Sequence, residues 1–160
     1  MSKSGSPAPV QLAVMRHSLA EVVEAISLGH DIDAADRAGR TALFYAAQDG
    51  DAAIVAELIK HGANVNARDA MLETPLHFAA RQYQPEIVRL LIDNGAQVDP
   101  QSVHGNTPLG QAVFGSRGRG AIIQLLLSAG ADKALENKHG VSPESLARTI
   151  ANYDVGIFFS

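Results

Sequence analysis

A spacing of 33 residues constrains this chain more than any other feature. The segment Thr41-Ala-Leu-Phe-Tyr-Ala-Ala returns as Thr74-Pro-Leu-His-Phe-Ala-Ala and again as Thr107-Pro-Leu-Gly-Gln-Ala-Val, each 33 residues after the last. A second series, Gly29-His, Gly62-Ala, Gly95-Ala and Gly130-Ala, steps by 33, 33 and 35. The two extra residues fall between Thr107 and Gly130, in Gly115-Ser-Arg-Gly-Arg-Gly120. Residues 36–68 and 69–101 share 12 identities over 33 positions, nearly all of them apolar or Gly. Identity confined to such residues is what a shared packing geometry selects, and a fixed period of this length signals a stacked repeat.

Local chemistry reads each repeat as two short helices. Thr74 is a good N-cap before Pro75, whose fixed φ suits a first helical residue. Leu76, Ala79 and Ala80 give the first helix a small-residue face. Pro85 opens a second helix over 85–93, in which Ile87, Val88, Leu90, Leu91 and Ile92 form a broad apolar stripe. Gly95 then supplies a left-handed stop. Helices this short are unstable alone, so each pair needs neighbours and the array is quasi-one-dimensional.

The period, together with Asp69, Thr74-Pro75-Leu76-His77, Ala79-Ala80, Ile87-Val88, Leu90-Leu91, Gly95-Ala96 and Val98, resembles the ankyrin repeat. The resemblance implies an all-α solenoid of about five units of paired antiparallel helices with projecting finger loops. The expected units are 8–35 as an N-terminal cap, 36–68, 69–101, 102–136, and 137–160 as a C-terminal cap, forming a single domain over 8–160 after a disordered tail at 1–7. The first unit reads Ala8-Pro-Val-Gln in place of the motif, and its second helix carries Ser18, Glu21 and Glu24. The last ends in Gly156-Ile-Phe-Phe-Ser160, with Phe159 at the register of Leu58; at least one Phe is expected to shield the end of the stack.

Composition narrows the chemistry. The chain has 160 residues, 46% hydrophobic, 19% charged and 5% aromatic, without Cys or Trp. Such a core is built from Ala, Leu, Ile and Val. A net charge of −4 argues against a general nucleic-acid or membrane-surface binder. Lack of Cys removes disulfides and thiolate chemistry. With no signal-like or membrane-length apolar segment, a cytoplasmic protein, monomeric when free, is expected. His17, His30, His61, His77, His104 and His139 are distributed about one per repeat, an arrangement that does not converge on one metal. His77 is read as a structural hydrogen-bonding residue. Gly115–Gly120 lacks the ending of a phosphate loop; it is either a flexible insertion or a small basic contact made by Arg117 and Arg119. No catalytic constellation, metal site or cofactor site is expected. Asn66 resembles the asparagine that eukaryotic hydroxylases modify in this family, against the plainer reading of a turn residue.

The family resemblance implies binding to another protein through the concave face and fingers. The corresponding positions are Arg37, Arg40, Gln48, Asp49, Met71, Leu72, Glu73, Arg81, Gln82, Tyr83, His104, Phe114 and Arg117. Leu72 stands where other fingers have Gly39, Gly105 and Gly140, and Tyr83 where the preceding repeat has Gly50. Met71, Leu72, Tyr83 and Phe114 are thus large apolar side chains where the fold accepts polar residues or Gly, which suits interface anchors. Met71 and Tyr83 are expected to be exposed on one face; the alternative is that these side chains pack within the array. Three functions stay open: adaptor or scaffold, stoichiometric inhibitor such as a small bacterial immunity protein blocking a toxin, and an enzyme with an unrecognised site.

Overall fold

A computed structural model describes residues 7–150 and 154–159. Among them are nine α-helices and no strand: α1 (Pro9–Met15), α2 (Leu19–Ser27), α3 (Ala42–Asp49), α4 (Ala52–Lys60), α5 (Pro75–Arg81), α6 (Pro85–Asp93), α7 (Pro108–Gly115), α8 (Ala121–Ser128) and α9 (Pro143–Thr149), followed by a 3-10 turn at Gly156–Phe159. The expected helix over 85–93 is α6. Except for Pro7, the tail expected at 1–7 lies outside the described residues.

Helix starts follow from local chemistry. Proline occupies the first turn of α1, α5, α6, α7 and α9. Ser18, Asp51, Thr107 and Ser142 cap α2, α4, α7 and α9 by accepting a backbone N–H from within the first turn. The second helices end at Gly29, Gly62, Gly95 and Gly130, all at positive φ.

The first helices α1, α3, α5, α7 and α9 pack in series as one layer, and α2, α4, α6 and α8 pack behind them as a second. Ala46, Ala47, Ala79, Ala80 and Ala112 are buried between them and let the backbones approach. Leu58, Leu91 and Leu126 are fully buried at one register, as are Ile54, Ile87 and Ile122 at another. The first pair replaces these residues with Ala25 and a half-exposed Glu21, which pairs with Arg16 at 3.0 Å. At the other end Val155 and Phe159 enter the core, and the Phe158 ring lies so close to Gly120 that a Cβ there would clash with it. Lys133 Nζ fixes this segment by donating to the Phe159 carbonyl at 2.7 Å. Both Phe side chains therefore pack against the end of the array, whereas Ile157 is 59% exposed.

Hydrogen bonds join neighbouring repeats at their margins. Asp33 accepts the N–H of Asn64, Asn66 that of Gln97, and Asp99 that of Asp132, at 2.8–3.0 Å. The Asn66 amide also donates to the Gly95 carbonyl at 3.0 Å, so both ends of this side chain brace the next repeat.

Candidate functional site

The fingers are organised by one recurring device. The side chains of Asp36, Asp69, Ser102 and Asn137 each accept two backbone N–H groups, two and four residues ahead, at 2.8–3.3 Å. These bonds close the loop locally, as Asx turns do. Burial alone would raise the Asp36 carboxyl pKa, but bonds from Tyr45, Arg40 and Ala38 outweigh it and hold it below the usual carboxylate range. Adjacent fingers are tied through backbone bonds: Ala70 N to Ala38 O at 2.8 Å, Val103 N to Met71 O at 2.9 Å and Lys138 N to His104 O at 3.0 Å. Met71 and Leu72 project from this tied row, each 43% exposed. Leu72 has φ +57°, close to the left-handed conformation of Gly39, Gly105 and Gly140 in the other fingers. Its carbonyl accepts from Arg68.

Along the first-helix layer, polar candidates engage one another. Arg40 and Arg81 lie 4.9 and 4.6 Å from the centre of the buried Phe78 ring, and Phe44 meets that ring edge-on at 5.4 Å. Arg81 pairs with Glu73 at 2.9 Å, and Gln111 reaches the same carboxylate at 3.4 Å. Arg40 pairs with the buried Asp69 at 3.4 Å. Arg40, Glu73 and Arg81 thus form part of an internal network with half-exposed edges. Arg37, Asp49, Gln82 and His104 are exposed, and Gln48 is half-buried.

His77 is fully buried. Its Nδ1 accepts the N–H of Thr74 at 3.0 Å and its Nε2 lies 3.0 Å from the Asn106 carbonyl, which fixes a neutral ring with hydrogen on Nε2. Burial pushes its pKa down from the ordinary 6.5. The same double role is filled in the first pair by Gln11, which sequence reasoning missed: its Oε1 accepts the N–H of Ala8 at 2.9 Å, and its Nε2 donates to the carbonyls of Ala34 and Arg40. The signal was present, since Gln11 occupies the His position of the motif. Phe44 occupies that position in the next repeat and cannot reciprocate, which leaves the buried Thr41 hydroxyl without a partner among the described residues.

The turns joining paired helices depart most from expectation. His17, Gly50, Tyr83 and Arg117 occupy the same turn in successive pairs, with φ of +54°, +79°, +57° and +49°. Three of the four thus carry a side chain where Gly is least strained. Tyr83 is half-buried and packs on the core, contrary to its expected exposure. The Arg119 guanidinium covers its ring at 3.6 Å, and its hydroxyl accepts the N–H of Ala121 at 3.3 Å. The segment 115–120 is therefore folded back onto the preceding repeat. Gly115 sits against the Arg81 carbonyl so closely that a Cβ there would clash. Arg117 and Arg119 are exposed. Phe114 is 74% exposed and stands between two depressions. One, of about 470 Å³, is lined by Arg81, Gln82, Tyr83, Phe114, Arg117 and Arg119 with Gly115. The other, of about 240 Å³, includes Gln111, Phe114, Val141, Pro143 and Leu146 in its lining.

Among the described residues, no three His, Cys, Asp or Glu side chains come together as a metal-binding group, and no helix is long and apolar enough to cross a membrane. A comparison with curated proteins found no significant match. The family model described as ankyrin repeats (3 copies) matches residues 10–102 and 72–137. Those spans take in most of the chain, and they coincide with the stacked helix pairs and tied fingers described above. The chain belongs to the ankyrin-repeat family, whose repeats are in general protein-interaction modules.

Proposed function

We propose that this chain is a non-catalytic protein-binding module that engages its partner with the first-helix layer and the fingers. In this reading the four helix pairs and the terminal α9 with its 3-10 turn make five units, the first and last acting as caps, and the free protein is a monomer. The observation that carries it is the exposure of Phe114, Met71 and Leu72 on this side of the molecule. Phe114 takes the register of Gln48 and Arg81, and Leu72 that of Gly39, so the fold does not require an apolar side chain at either place. Large apolar side chains kept in water are typical of binding surfaces.

The chain acts by occupying or tethering its partner, as an adaptor or as a stoichiometric inhibitor. A dissociation constant near about 1 nM favours the inhibitor, and one near about 1 μM the adaptor. The location is tested by affinity capture with wild type, Met71→Ala, Phe114→Ala and, on the opposite layer, Arg89→Ala. A partner retained by Arg89→Ala and weakened at least about thirtyfold, about 2 kcal/mol, by a face variant supports the reading. A partner lost by Arg89→Ala and held normally by both face variants places binding on the other layer.

A further inference from the structure

We propose that Phe114, Arg117 and Arg119 form a docking point for a peptide segment of a protein partner in which carboxylate side chains flank a large apolar one. This rests on the protein-binding reading above and adds where on the face the contact is made and what chemistry it selects.

Charge supplies the first argument. The chain carries a net charge of −4, yet the larger depression beside Phe114 includes three arginines and no acidic side chain among its described lining residues. Arg81 is already balanced by Glu73. Arg117 and Arg119 have no ion-pair partner among the described residues, and they carry the local excess of positive charge. Two guanidinium groups on an otherwise acidic chain are too small a footprint for a nucleic acid, which needs an extended basic surface. They are enough for one or two carboxylates, which guanidinium binds through paired hydrogen bonds.

Preorganisation supplies the second. Arg119 lies on the Tyr83 ring, and its Nε donates to the Ser116 carbonyl at 3.1 Å. Its two terminal nitrogens have no partner among the described residues. A guanidinium held in this way loses little side-chain freedom when a carboxylate arrives. The two residues added to this unit's spacing lengthen the turn that carries Arg119 back to the preceding repeat.

Exposed apolar surface supplies the third. Arg117 sits at φ +49°, as His17 and Tyr83 sit at +54° and +57° in the equivalent turns, so its backbone conformation belongs to the turn, and what sets the site apart is the side chains around it. Phe114 joins the arginine-lined depression to the second one, whose lining includes Val141, Pro143 and Leu146. A partner side chain beside Phe114 therefore finds apolar surface on one side and guanidinium groups on the other, which is the pattern of an acidic segment with an embedded Leu or Phe.

The test uses the full chain and three short labelled peptides, of alternating Glu and Leu, of Gln and Leu, and of Lys and Leu, followed by fluorescence anisotropy. The Glu peptide should bind at least about tenfold more tightly than the Gln peptide, and the preference should collapse at about 0.5 M salt. Arg117→Gly and Arg119→Gln should each erode that preference, while Phe114→Ala should weaken the Glu and Gln peptides alike. Arg117→Gly also controls for folding, because relief of strain should leave its melting temperature equal or higher. Equal binding of Glu and Gln peptides, no binding of any peptide, or unchanged affinity in the arginine variants overturns the proposal. The two readings fail separately. A captured partner weakened by Met71→Ala but not by Phe114→Ala or Arg117→Gly leaves the face and removes this docking point, whereas one lost only with Arg89→Ala removes both.

Discussion

His77 shows how much a single position can carry. Its ring accepts from the start of its own helix and donates to the next finger, and the accepted bond requires a neutral imidazole. Because burial lowers its pKa in the folded protein from 6.5, the unfolded chain takes up the proton first as pH falls. The stability from this group is complete above pH 6.5 and declines as pH drops below it toward the folded value, by at most about 1.4 kcal/mol per pH unit. Gln11 indicates how to remove the titration and keep the bonds. His77→Gln should be folded, and its melting temperature should fall less than that of wild type between about pH 7.5 and pH 5. Parallel melting curves across that range would mean that His77 is not responsible for the acid sensitivity. The structural role of His77 was legible in the sequence because the repeat motif marks it. Gln11 was not recognised because its neighbours do not match the motif, although its chemistry does.

At the scale of elements, apolar periodicity was a dependable guide. The stripe through 85–93 is α6, and Leu91 is fully buried between neighbouring helices with Leu58 and Leu126 at its register. Leu91→Ala should lower stability by about 2–5 kcal/mol, a large part of a typical domain's margin. Urea denaturation measures this, and a loss below about 1 kcal/mol would show that the site collapses around the smaller side chain. The turns were less legible. Gly at a turn announces positive φ, so Gly50 was readable, but His17, Tyr83 and Arg117 adopt that conformation without the signal. The location of the two-residue insertion was evident from spacing alone. Its fold was not, because Arg119 is held by Tyr83, 36 positions earlier, through a contact between repeats that no local pattern encodes. With the same contact, Tyr83 is half-buried where exposure was expected.

At the scale of the molecule, the first and last helices of the described array differ in what they bury. The N-terminal end exchanges the buried Ile and Leu of the interior repeats for Glu21 and Ala25, so less apolar surface is left to cover. The C-terminal end has no second α-helix among its described residues; Val155 and Phe159 take the place of that helix's buried face. In such an array each unit contacts only its neighbours, so loss of a cap is felt first at the adjoining helix. Phe159→Ala should therefore cost about 3 kcal/mol or somewhat less, since a terminal segment can relax around the cavity. It should lower hydrogen-exchange protection in α9 before that in α5. Ile157→Ala, at a side chain 59% exposed, should change stability by no more than about 0.5 kcal/mol. Amide exchange measured helix by helix distinguishes the possibilities. If Phe159→Ala leaves α9 as protected as in wild type, the aromatic pair does not close the stack, and the fourth helix pair is stable with its end face open. If protection falls equally in α5 and α9, the array unfolds as one cooperative unit, and the cap sets the stability of the whole molecule.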